Sequence, residues 1–222
     1  MVLLALLPLC HAGVEARVDE MLTAWRGLSG YRTEQTVQER VGGELGTEQR
    51  MRVSFRKPWE IQLEWLTVHE GRKVYWCACQ NDDKVLVDPG GMIGSAIGLL
   101  SFHPENGLLR RDTNYRLSQA GFGFLVEKLA GVFPAGRDAG ALLRDAGEEA
   151  IAGVQTRHLV IGVVPGLPYG GADLWIDTRT HLPVRFSARN PAGELAERFT
   201  WGAVTVDPPF VDTVDFSLAY RD

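Results

Sequence analysis

The chain has 222 residues, 45% hydrophobic and 23% charged, with a formal net charge of −5. A chain of that length buries roughly 70% of its unfolded surface, so it needs neither metal nor disulfide to fold, and its composition excludes a disordered polymer. The mixed-sign, mildly acidic balance excludes general nucleic-acid binding, which requires a basic face; Arg110-Arg111 is the only adjacent arginine pair.

Residues 1–12, MVLLALLPLCHA, form an apolar run too short to span a bilayer, followed by small residues at Ala12 and Gly13. The segment reads as the remnant of a secretory signal whose basic start is missing, or as an apolar extension of the first helix. The signal reading places the mature chain in the periplasm or another extracytoplasmic space, with no membrane span and one domain over residues 13–222. Val14, Val18, Met21, Leu22, Trp25 and Leu28 then recur at helical spacing until Gly30 stops them. The period changes at Tyr31. Strands are expected over 31–40 and 44–55 around Val41-Gly42-Gly43, then over 59–66, 73–79 and 84–87.

The strand after Pro58 is the most regular. Trp59, Ile61, Leu63 and Trp65 alternate with Glu60, Gln62 and Glu64, which predicts one greasy face and one solvated face. Cys77 and Cys79 share a face of the next strand and are expected to be free thiols. His11, His69, His103, His158 and His181 show no ligand spacing, so no metal and no cofactor is expected.

The middle of the chain differs. Residues 88–100, DPGGMIGSAIGLL, are apolar with four glycines, a density that disfavours a regular helix. An irregular apolar element is expected, and Met92, Ile93, Ile97, Leu99 and Leu100 make it a lid, a membrane-touching loop or a buried connection. Phe122, Leu125, Val126 and Leu129 predict a second amphipathic helix from about Ser118, and residues 138–145 a short third one. Strands return over 154–164, 172–177, 182–189 and 195–206. In the last of these, Leu195, Phe199 and Trp201 share a row with one polar member, Glu197. Strands, then helices, then strands with one apolar face imply an α+β fold: a single curved antiparallel β-sheet with helices packed in its concave face.

The opening helix, Tyr31-Arg32-Thr33-Glu34-Gln35, and Phe55-Arg56-Lys57-Pro58 running on to Trp65 resemble bacterial lipoprotein carriers of the LolA type. Trp175-Ile176-Asp177, Leu182-Pro183-Val184-Arg185, Gly193 and Phe199 resemble the second half of that superfamily. Asp88-Pro89-Gly90-Gly91 and the glycine-rich insertion over 89–113 are closer to an uncharacterised bacterial envelope family of the same fold. The resemblance implies an incomplete barrel with helices as a lid and an apolar cavity for a lipid or a lipoprotein acyl chain. It also implies a latch before the proline, where Lys57 stands in place of an arginine and lacks its planar bidentate contacts.

Trp59, Ile61, Leu63, Trp65, Phe186, Phe199 and Trp201, with Met92, Ile93 and Ile97 from the glycine-rich segment, are the candidate ligand-binding residues. Two readings of that apolar face stay open: the wall of a cavity, or an ordinary core filled by helices. The first makes the chain a carrier of hydrophobic ligands; the second makes it a module that recruits an envelope protein partner. Catalysis is not expected. Gly94-Ser95-Ala96 lacks the closing glycine of a nucleophile elbow, and Glu148-Glu149 reads as solvated surface. A hydrolase would need a Ser, Asp or Glu in the hollow within reach of a histidine.

Overall fold

The computed structural model describes residues 14–77, 81–134 and 142–220. Helix α1 (Glu15–Gly27) leads into β1 (Gly30–Val41), β2 (Glu44–Leu45), β3 (Gln49–Arg56), β4 (Glu60–Trp65), β5 (Lys73–Cys77) and β6 (Val85–Asp88). Then come α2 (Gly91–Ile97), β7 (Leu100–Phe102), a 3-10 turn at Gly107–Arg110 and α3 (Phe122–Val132). The chain returns through β8 (Leu143–Ile151), β9 (Val154–Ile161), β10 (Gly171–Asp177), β11 (Pro183–Arg189), β12 (Leu195–Trp201) and β13 (Thr205–Val206), ending near α4 (Asp212–Asp215).

The strands form one open antiparallel sheet, ordered β7-β6-β5-β4-β3-β1-β12-β11-β10-β9-β8, with β2 and β13 paired onto β1. The path explains the shape. The chain starts mid-sheet, meanders out to β7, crosses with α3, and meanders back from β8 until β12 pairs with β1. That crossing lays α3 over the sheet beside α1, so both helices bury their apolar stripes on one face. The α+β fold expected from the sequence, a single curved antiparallel sheet with helices packed on its concave face, is the fold observed.

Helix α1 contributes Val18, Met21 and Trp25 to the core, and α3 contributes Phe122, Val126 and Leu129. The helices meet where Gly123 faces the Trp25 indole: a Cβ there would lie 2.4 Å from the ring, so only glycine allows this approach. Trp25 Nε1 donates to Glu127 Oε1 at 3.1 Å across the same contact.

Four expectations are corrected. The glycine-rich segment is not irregular, since α2 is a helix of seven residues. Residues 143–145 belong to β8, an edge strand with much of its length exposed, where pairing to β9 overrides the helical pattern; residues 138–141 of the expected third helix lie outside the described part. The face of β4 that carries Glu60 and Gln62 is not solvated, because the chain's end folds over it. Phe216 and Leu218 pack there on Tyr75 and Cys77. Gln62 accepts the Leu218 N–H at 3.0 Å, Tyr75 donates to Glu60 at 3.0 Å, and Arg56 bridges Glu60 at 2.6 Å and Asp212 at 2.8 Å. Finally, Cys77 is not a free thiol but disulfide-bonded. The chain's other cysteines, Cys10 and Cys79, lie outside the described residues, as does the apolar run at 1–12.

Candidate functional site

The concave side is filled at one end and hollow at the other. At the filled end, Trp25, Tyr31, Phe55, Trp59 and Phe122 form an aromatic cluster, with Tyr31 stacked on Phe122 at a centroid distance of 4.1 Å. At the other end a cavity of about 370 Å³ lies between the sheet, α3 and the segment over residues 100–120. That volume falls at the lower end of the range of small-ligand sites.

The period of two along each strand decides which side chains reach the cavity. Leu63 and Trp65 of β4 reach it, as do Phe186 of β11 and Phe199 and Trp201 of β12. Leu125, Leu129 and Val132 of α3 form the opposite wall. The tryptophan N–H groups are already satisfied within the sheet: Trp201 Nε1 donates to Gln35 Oε1 and Trp65 Nε1 to Gln49 Oε1, both at 2.8 Å.

Of the other sequence candidates, Ile61 is fully buried and Trp59 packs in the aromatic cluster, so both belong to the filled end and neither lines the cavity. Met92 and Ile97 stand in solvent on α2, at 91% and 60% exposure, and the Ile93 side chain lies outside the described part. Lys57 sits elsewhere. Its Nζ donates to the carbonyls of Trp25 at 2.7 Å and Arg26 at 3.0 Å, and lies 4.6 Å from the Trp25 ring centroid. It therefore caps the C-terminal end of α1, where carbonyls are unpaired and the helix dipole favours a cation. Burial holds its ammonium below the ordinary lysine range.

Sequence reasoning missed the polar pole of the cavity. Glu39 and Glu197 face each other as register partners across β1 and β12, both almost fully buried. Glu197 accepts the Tyr115 hydroxyl at 2.6 Å and the Tyr169 hydroxyl at 2.7 Å. Glu39 accepts the Thr113 hydroxyl at 2.9 Å and the Asn114 N–H at 2.8 Å. Burial pushes both carboxyls up, against the pull of these donors, and the charge of Glu197 raises Glu39 further. Burial and the Glu197 charge likewise push both phenols up, which keeps them protonated donors. Glu197 as the lone polar member of an apolar row was the signal available in the sequence. Its partners were not, since they come from a crossing segment without periodicity.

The pole also fastens that segment. Thr113, Asn114 and Tyr115 are tied to the sheet through the two carboxylates, and Tyr115 packs edge-on against Phe199 at 5.5 Å. Among the described residues, no histidine and no serine lines the cavity. His158 contacts Asp173 at 2.9 Å and Glu149 at 3.1 Å outside it, stacked on Trp175 at 4.5 Å. No helix among the described residues is long and apolar enough to cross a membrane.

The fold is shared with several solved proteins. MucB matches at a TM-score of 0.54 and 16% identity over 91% of this chain, and MucB in the Pseudomonas aeruginosa MucA/MucB complex at 0.50 and 15% over 90%. This chain spans 62% and 59% of those two MucB chains, about three fifths of their length. An uncharacterized conserved protein from Thermus thermophilus matches at 0.50 and 14% identity, over 94% of this chain and 93% of its own. A LolA superfamily protein from Nitrosomonas europaea aligns over 91% of this chain and 97% of its own at 9% identity, with a TM-score of 0.38. No curated protein matches the chain. A family profile covers residues 28–221, nearly the whole described molecule, and the chain belongs to that family, described as protein of unknown function DUF1571.

Proposed function

We propose that the chain binds a hydrophobic ligand, a lipid or the acyl part of a lipoprotein, in the cavity beneath α3, and does so in an extracytoplasmic space. The observation that supports this most is the division of the concave face into a packed aromatic end and a hollow of about 370 Å³ walled by leucines and aromatics. Each methylene buried there contributes about 0.8 kcal/mol, so a short stretch of acyl chain is held reversibly. Leu63, Trp65, Phe186, Phe199 and Trp201 form the wall, and Lys57 latches α1 over the filled end. A hydrolase is the less favoured reading, since among the described residues no histidine lines the cavity beside a Ser, Asp or Glu.

The test is direct. Purified chain extracted with organic solvent should yield lipid by mass spectrometry, and stripped chain should take up a fluorescent fatty acid. Finding no lipid and no uptake, with folded protein, would remove this reading. The second reading, a module that recruits an envelope protein, draws on one observation: MucB, which shares the fold, is solved in complex with MucA.

A further inference from the structure

We propose that the rim of the cavity formed by α2 and the 3-10 turn at Gly107–Arg110 is a docking surface for an anionic lipid bilayer. The surface goes beyond the cavity's ligand and stands without it.

Residues 89–104 contain no Asp, Glu, Lys or Arg. Met92 and Ile97 of α2 are 91% and 60% exposed, and Leu108 of the neighbouring turn is 67% exposed. None of the described side chains of α2 is buried. A projecting apolar element of this kind needs a partner that accepts methylenes.

The element is built, not frayed. Asp88 Oδ1 accepts the Gly90 N–H at 2.9 Å, and Gly90 holds a φ of +72° with its α-carbon against the Gly71 and Arg72 backbone. A Cβ at Gly90 would lie 2.6 Å from Gly71, so the base of α2 is pressed onto the β4–β5 turn. The same turn carries His69, whose Nε2 is 3.8 Å from Asp112, beside Arg111. One turn therefore sets the apolar helix and the Arg110-Arg111 pair on a single rim.

The charges on that rim favour an anionic surface. Arg110 and Arg111 are exposed, and neither has an ion-pair partner among the described residues. Of the neighbouring acids, Glu105 pairs with Arg116 at 3.0 Å and Asp112 interacts with the Arg72 charge and lies 3.8 Å from His69; Glu70 on the turn has no ion-pair partner among the described residues. Apolar side chains that enter the acyl boundary beside arginines that meet phosphate are the chemistry of interfacial binding. Helix α2 has few side chains to supply the hydrogen bonds that a specific protein interface usually carries beside its apolar contacts. Its one hydroxyl, Ser95, donates back to the Gly91 carbonyl at 3.1 Å. Leu100, Phe102 and Leu108 also line the cavity, so docking brings its opening to the membrane.

The experiment is co-sedimentation of the full chain with vesicles of phosphatidylcholine, with and without phosphatidylglycerol. The chain should bind the phosphatidylglycerol vesicles and release them as salt is raised. Arg110→Gln with Arg111→Gln should weaken binding about thirtyfold, from a contribution near fivefold per arginine. Met92→Ser with Ile97→Ser should weaken it at least about tenfold with the melting temperature unchanged, since both side chains stand in solvent. The proposal fails if the native chain ignores phosphatidylglycerol vesicles or if the variants bind as the native chain does. It fails also if the chain is a dimer that Met92→Ser with Ile97→Ser dissociates, which gives the face to a second copy. Uptake of a fluorescent fatty acid, measured without vesicles, separates this failure from failure of the cavity reading.

Discussion

Replacing Ala172 by leucine asks whether the hollow is empty. Ala172 lies on β10 between Ile161 of β9 and Ala188 of β11, and lines the cavity. Leucine adds three carbons. Buried in free space they contribute up to about 2.4 kcal/mol, at about 0.8 per carbon. Fixing the longer side chain costs about 0.5–1 kcal/mol, so the expected net gain is about 1–2 kcal/mol. The same carbons displace a comparable length of any bound chain, which weakens a fitted acyl ligand by about 2.4 kcal/mol, roughly fiftyfold. Ala188 is the control. It is fully buried and does not line the cavity, so leucine there overpacks and costs about 1–3 kcal/mol. Urea midpoints at constant slope give the stabilities, and titration with a fluorescent fatty acid gives the affinity. If Ala172→Leu destabilises as Ala188→Leu does, and uptake is unchanged, the space is not there and the ligand reading is wrong.

Gly123→Ala tests the α1–α3 contact by sign. Helix propensity alone predicts a gain of at most about 1 kcal/mol, whereas a Cβ 2.4 Å from the Trp25 ring predicts a net loss of about 1–2 kcal/mol that Trp25→Phe partly relieves. Phe216→Ala, which removes the fully buried anchor of the terminal segment, should cost about 3–5 kcal/mol by chemical denaturation. The Glu39–Glu197 pair makes stability depend on pH. Their folded pKa values are raised by burial above the ordinary 4.5, so their contribution is fully present below that value and declines as pH rises through the folded values. Unfolding midpoints should therefore fall as pH rises above 4.5, and Glu39→Gln should flatten the slope; a flat native profile would contradict it. Asp145 and Asp207 act in the opposite direction, but only below 3.8: despite their burial, Arg157 holds the first low, and the amides of Gly30 and Ser29 the second.

Much of the sheet was legible because apolar and polar residues alternate with a period of two along several strands. Trp59 through Trp65 and Leu182 through Arg189 are unambiguous in that sense. The helices α1 and α3 were equally plain from spacings of three and four. What was hidden shares one cause: it depends on partners distant in sequence. The face of Glu60 and Gln62 looks solvated until residues 212–218 cover it, and no local pattern announces that cover. Edge strand β8 carries Asp145, Gly147, Glu148 and Glu149, and only its register with β9 makes it a strand. The apolar face was read correctly as a surface. The boundary between its packed and hollow halves depends on how far Trp25 and Phe122 reach across it, which one strand cannot encode. The acidic pole was half visible, in Glu197, and the other half arises from pairing β12 with β1.

The terminal segment behind β4 and β5 has a mechanical corollary. Strands gripped by side chains on both sides resist bending, so the front of the shell acts as an anvil. Any swelling to admit a guest must be borne by the crossing segment and the far strands. Loosening Phe216 should then soften the whole vessel from behind, and guests of differing bulk should be told apart less sharply.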